Sequence, residues 1–139
     1  MGKTLERMMD AGLFAGALLG SGWSKAYDGR YEQLLHGYGH DVMMPFCSYF
    51  LNRFLGIGSA KNRWLNAAYA VVGCSAFEVM QAFGSYPGTF DPKDFLAYAV
   101  GAGAAIGLDV VLENTARVST ARQISPGEQT RPADSGLSA

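Results

Sequence analysis

Charge is scarce in this sequence. Asp, Glu, Lys and Arg make up 17% of it, where soluble domains run at about a quarter. The charges nearly cancel, to a formal net charge of −1, so no general attraction to nucleic acid is expected. Cysteine is scarce as well. Cys47 and Cys74 stand alone in separate apolar runs without CxxC spacing, which argues against a zinc ribbon or a disulfide framework and for buried, inert thiols. No A-x-A cleavage site follows the apolar core at residues 11–19, so the segment behind Lys3 and Arg7 reads as a retained helix rather than the core of a signal peptide. Finally, there is no clean run of about 20 apolar residues, the usual requirement for a membrane-spanning helix.

What is present is four interrupted apolar stretches, at residues 11–23, 42–57, 64–83 and 95–112. The first is the shortest. Asn52 and Arg53 break the second, Glu78 and Gln81 the third, Asp109 the fourth. Each reaches spanning length only if its polar ends snorkel or turn into a bundle. Mean hydropathy is +0.06, an average diluted by the polar residues 114–139.

A soluble four-helix bundle is the alternative, and its helices should each carry a charged face. Residues 65–77 (LNAAYAVVGCSAF) and 95–108 (FLAYAVGAGAAIGL) carry no charge anywhere around the helix. Helices apolar all round belong deep in a large protein or in lipid, and 139 residues are too few for the first. The expected fold is therefore all-α: a polytopic membrane bundle of about four short transmembrane helices over residues 1–113, then a disordered cytoplasmic tail over 114–139. Gly12, Gly16 and Gly20 share one face, and Gly103 and Gly107 repeat the spacing. With Gly101 they are the expected helix-packing positions.

Basic residues set the orientation. With four spans, Lys3, Arg7, Lys61, Arg63, Arg117, Arg122 and Arg131 fall on one side, against Lys25, Arg30 and Lys93 on the other. That excess makes the first side, with both termini, cytoplasmic. The expected location is a multi-pass cell-membrane protein.

This topology brings several polar residues to the outer side. Glu78 and Gln81 are three apart and share a helix face. Asp94 sits in the first turn of the last helix, against its positive dipole end. His40 and Asp41 open the second helix, with His36 four residues earlier. His40, Asp41, Glu78, Gln81 and Asp94 form the candidate polar cluster, and three readings of it stay open. In one, Asp94 caps its helix while Glu78 and Gln81 lock the bundle. In another, Glu78 acts as an acid or base or holds a lipid head group, since ionisable residues within spans are costly to keep. In the third, His36, His40 and a carboxylate bind a metal, although the HGYGH stretch that carries the histidines need not be helical. The expectation adopted is no metal and no cofactor. The loop GSYPGTFDPKD before the last helix is either a plain re-entry turn, with a Pro-Gly turn and a proline near the helix start, or a ligand-contacting loop.

Residues 77–107, FEVMQAFGSYPGTFDPKDFLAYAVGAGAAIG, resemble the VanZ-like family of small membrane proteins. That family typically has Glu and Gln three apart near the end of its third helix, a short loop, an Asp opening the fourth helix, then an Asn and glycines. Glu78, Gln81, Gly88, Asp94, Gly101 and Gly107 take those places, and His40 or His36 matches a histidine near the start of the second helix. Thr89 and Tyr98 depart from it, standing where arginine and asparagine are common. The resemblance implies a four-helix membrane domain, linked in one lineage to resistance to the glycopeptide teicoplanin. Membrane lipid, or a lipid-linked glycan, is the expected partner. A non-catalytic scaffold docking on other membrane proteins through its glycine faces is the alternative. No nucleophile-and-base set has recognisable spacing, so an enzyme is neither indicated nor excluded.

Overall fold

A computed structural model of the chain describes residues 3–57 and 62–124. These residues form four long helices and no strand: α1 (Lys3–Ala26), α2 (His40–Leu55), α3 (Arg63–Ala82) and α4 (Asp94–Ile124). A short turn of helix, Glu32–Leu34, and a π-helical segment, Leu35–Gly39, run directly into α2. Each of the four apolar stretches seeds one helix.

Local chemistry fixes the boundaries. The Asn62 side chain accepts from the backbone N–H groups of Trp64 and Leu65 at 3.1 and 3.2 Å and so caps α3. Gly56, at φ 71°, ends α2: its N–H donates to the Arg53 carbonyl while that of Ile57 donates to Asn52. Gly84, at φ 66°, ends α3 the same way, with the N–H of Ser85 on the Met80 carbonyl. Both are Schellman motifs, where the left-handed residue is best a glycine.

With 24 residues, α1 is longer than α2 although its apolar stretch is the shortest, because charged and polar residues flanking that stretch also join the helix. One expectation needs correction. The last helix continues to Ile124, so residues 114–124 are helix rather than the beginning of a tail. Hydrophobicity ends near residue 113, but helix propensity does not, and the i,i+4 pair Glu113–Arg117 bridges the boundary. Lys61 and the rest of the expected tail, residues 125–139, lie outside the described residues.

The helices alternate in direction. Residues near the start of α1 meet the end of α2 (Glu6 and Asp10 with Arg53), and the end of α1 meets the start of α2 (Ser21 with His40). Likewise, Asn66 in the first turns of α3 bonds Asn52 late in α2, and Glu78 late in α3 bonds Tyr98 early in α4. The central helix is α2, which packs on all the others, while α3 and α4 also pack on each other. Tyr49, Phe50, Ala67, Ala102 and Ala105 form its core.

Close approach is achieved at Gly101. A Cβ there would lie 2.0 Å from the Val42 carbonyl oxygen and 2.8 Å from Pro45 Cγ, so α4 presses on α2 backbone to backbone. Gly101 is thus a packing glycine. Gly20 makes only ordinary contact with Met43, and Gly12, Gly16, Gly103 and Gly107 have nothing within 4 Å of a Cβ position. The α4 face that packs is Ala97, Gly101, Ala105 and Asp109, all buried. Alanine is small enough for most of that contact, so the glycine spacing pointed to the wrong faces. On α1 the buried face is Asp10, Ala17, Ser21 and Ser24.

Polarity is inverted relative to a soluble bundle. Asp10, Ser21, Ser24, Asn66, Glu78 and Asp109 are buried, whereas Leu19, Trp64, Phe83 and Leu96 are 70% or more exposed. Among the described residues no buried side-chain nitrogen or oxygen lacks a hydrogen-bond partner. Among the described residues one helix, over Asp94–Ser119, is long and apolar enough to cross a membrane.

Candidate functional site

Polar side chains gather in two layers, one at each end of the bundle. The first lies where α2 and α4 begin and α3 ends. Glu78 is 4% exposed, and its two carboxylate oxygens have separate donors. The Tyr98 hydroxyl donates to Oε1 at 3.0 Å, and the backbone N–H of Asp91 to Oε2 at 3.4 Å. The loop reaches this position because Gly88 sits at φ 145°, a conformation that favours glycine. The Gln81 side chain packs on Gly88, where a Cβ would fall 2.5 Å from its Nε2.

Asp91, rather than Asp94, caps the last helix: its Oδ1 accepts from the Lys93 N–H at 2.9 Å. Pro92 then occupies the first-turn position where a missing N–H costs nothing. Asp94 stands in the same first turn, half-buried, within electrostatic reach of Asp41, Glu78 and Asp91. Asp41 on α2 faces the same carboxylates, with Lys25 of α1 as the neighbouring cation.

Of the five candidate residues, then, Asp41, Glu78 and Asp94 come together, joined by Asp91. Gln81 supports the loop. His40 turns the other way, and its Nδ1 lies 2.6 Å from the Ser21 hydroxyl on α1. Successive helix residues diverge by about 100°, so His40 and its neighbour Asp41 serve different interfaces. Small residues let α1 come close here, since a Cβ on Gly39 would lie 2.7 Å from that of Ser24. His36 pairs with Glu32 at 3.9 Å, so the two histidines do not converge on one ligand. Chemically, the carboxylate rim is rich in acceptors for hydroxyl or ammonium donors.

The second layer is at the opposite end. Arg53 on α2 reaches Asp109 Oδ1 at 2.8 Å, Asp10 Oδ1 at 3.1 Å and Glu6 Oε1 at 3.0 Å, which ties α2 to α4 and α1. The Tyr49 hydroxyl donates to the other Asp109 oxygen at 2.7 Å. Asn66, fully buried, donates to the Tyr49 carbonyl at 3.0 Å and accepts from Asn52 at 2.9 Å. Arg63 and Arg117 share Glu113 at the rim. In the sequence Arg53 and Asp109 read as interruptions of their apolar stretches, and Asp10 and Glu6 are not singled out at all. The signal was available: a carboxylate about two turns into α1, and another about one turn before the end of the fourth apolar stretch, match an arginine in the last turn of α2.

No family model matches the chain, and no curated protein or solved structure is found similar to it.

Proposed function

We propose that this chain is a multi-pass integral membrane protein of the bacterial envelope, VanZ-like in character, that engages a lipid or lipid-linked glycan at the carboxylate end of its bundle. The observation that carries this reading is the inverted polarity. Leu19, Trp64, Phe83 and Leu96 are exposed on an outer surface that in water would be a large unpartnered apolar patch. Hydrocarbon covers such a surface without cost, and the buried ion pairs and amides then satisfy one another inside. Trp23 and Trp64, both exposed, sit at opposite ends of the bundle, as interfacial aromatics do. From Trp64 to Phe83, α3 rises about 28 Å at about 1.5 Å per residue, close to the hydrocarbon thickness of about 30 Å.

The excess of basic residues at the Arg53 end makes that end cytoplasmic and turns Glu78, Asp41 and Asp94 outward. There the carboxylates can accept from sugar hydroxyls or a head-group amine, with Lys25 beside them for a phosphate. Tyr98 fills the place that asparagine commonly takes in the family and holds Glu78, so Asp41 and Asp94 are the carboxylates left to meet a ligand. The test is teicoplanin susceptibility of a bacterium expressing the chain. Asp41→Asn and Asp94→Asn should each abolish any protection while leaving membrane levels unchanged. Wild-type behaviour of both variants overturns the ligand role, and recovery of the protein in the soluble fraction overturns the membrane reading.

A second reading, a scaffold for larger membrane proteins, is favoured by the glycines at 12, 16, 103 and 107, which have no neighbour inside the bundle. It predicts that Gly16→Leu and Gly103→Leu release co-purifying partners in mild detergent. A wild-type monomer with nothing attached refutes it.

A further inference from the structure

A cavity of about 1460 Å³ opens at the Arg53 end, between the start of α1, the end of α2 and the second half of α4. Its walls are of two kinds. Phe54, Ile57, Met8 and Leu112 supply apolar surface, and the first three of these are 40% or more exposed. The polar part is almost internally neutralised: Glu6, Asp10 and Asp109 are held by Arg53, and Glu113 by Arg63 and Arg117. Two lining cations remain, Lys3 and Arg7, with no ion-pair partner among the described residues. They are one helical turn apart on α1. The Arg7 guanidinium extends toward the end of α2, where a Cβ on Gly56 would lie 4.0 Å from its Nη2.

We infer that this cavity binds one anionic phospholipid, its phosphate between Lys3 and Arg7 and an acyl chain along Phe54, Ile57 and Leu112. The inference rests on the membrane reading above but not on the carboxylate end. Three features select this occupant. The paired charges nearly cancel, three cations against four carboxylates, whereas Lys3 and Arg7, with no ion-pair partner among the described residues, complement one phosphate. The apolar wall suits a hydrocarbon chain rather than a free phosphate. On the orientation proposed, the cavity also opens at the cytoplasmic leaflet, where acidic lipids and basic inter-helix pockets meet.

The full chain would be placed in nanodiscs of phosphatidylcholine with graded phosphatidylglycerol, then released and weighed by native mass spectrometry. The expected result is one retained phosphatidylglycerol per protein, saturating with its mole fraction. Lys3→Gln with Arg7→Gln should weaken that retention roughly thirtyfold, from about fivefold per basic residue near an anionic surface. Ala11→Phe, which adds bulk to the cavity lining without changing charge, should also abolish it, with an unchanged melting temperature showing that the fold survives. Lys25→Gln with Lys93→Gln, at the other end, should leave it unaltered. The inference is overturned if phosphatidylglycerol is retained no better than phosphatidylcholine. It is overturned too if Ala11→Phe keeps full retention, which would mean diffuse surface attraction, or if glycerol phosphate in solution displaces the lipid as an equal. A protein that stays monomeric and folded without detergent or bilayer overturns the membrane reading as well, and that result is visible before any lipid is scored.

Discussion

Arg53→Met is the most informative single change. It removes the cation that Asp109, Asp10 and Glu6 share and leaves an unbranched apolar side chain in place of the arginine stem. The three carboxylates then fare differently. The Glu6 side chain is 49% exposed and rehydrates, so its loss costs little. Asp10 and Asp109 side chains are 7% and 8% exposed and stay uncompensated. Stranding a buried charge by removing its partner costs about 3–5 kcal/mol. The Tyr49 hydroxyl still donates to Asp109, which places the expectation at the lower end, about 3 kcal/mol, or roughly 10 °C in melting temperature for a domain of this size. Cys47 and Cys74 are buried free thiols, so a thiol-reactive fluorophore added in mild detergent reports unfolding directly. The triple variant Arg53→Met, Asp10→Asn, Asp109→Asn removes the stranded charges and should recover at least half of the loss, a strong non-additivity. A single variant melting within about 2 °C of wild type, or a triple variant no better than the single, refutes the account of this layer.

Gly101→Ala should destabilise by about 1–3 kcal/mol or more, because its Cβ meets the Val42 carbonyl. Gly103→Ala, two residues on and facing open space, should be neutral or stabilising by up to about 1 kcal/mol; equal melting temperatures for the two would contradict the packing described. Tyr98→Phe leaves Glu78 with only the longer bond from Asp91 and should cost about 1–3 kcal/mol in the same assay. Trp23 and Trp64 fluorescence should be quenched by lipids brominated near the head group and little by lipids brominated at the chain ends. Strong quenching at the bilayer centre, or none at all, would refute the interfacial placement of the two rings.

The four helices were legible because their apolar stretches carry little charge and are punctuated by Asn62, Gly56 and Gly84, whose roles are local. The convergence of Asp41, Glu78 and Asp94 was legible from alternating helix direction alone. What a single strand of sequence conceals is azimuth. Whether His40 or Asp41 faces α3 and α4 depends on how α2 is rotated, and that rotation is set by contacts such as Gly101 on Val42 rather than by any local pattern. The same ignorance misassigned the glycines: a spacing of four identifies a face but not its neighbour, and alanines 97 and 105 make the close contact as well. The Arg53 layer was hidden because its members lie up to about a hundred residues apart in sequence, and each alone reads as a flaw in an apolar run.

The composition of that layer also bears on the order in which the chain is made. Glu6 and Asp10 leave the ribosome before Arg53, and Asp109 after it. When α2 emerges, its arginine already has two waiting acceptors on α1. When α4 emerges, its aspartate finds Arg53 and the Tyr49 hydroxyl in position. On the membrane reading, Arg53 never enters lipid before its acceptors on α1 exist, and α1 acts as an escort for α2 during insertion. Replacing Glu6 and Asp10 by their amides should therefore reduce insertion of α2 in a translation extract supplied with membranes, even when α3 and α4 are deleted. Undiminished insertion would show that the pairing matters only after assembly.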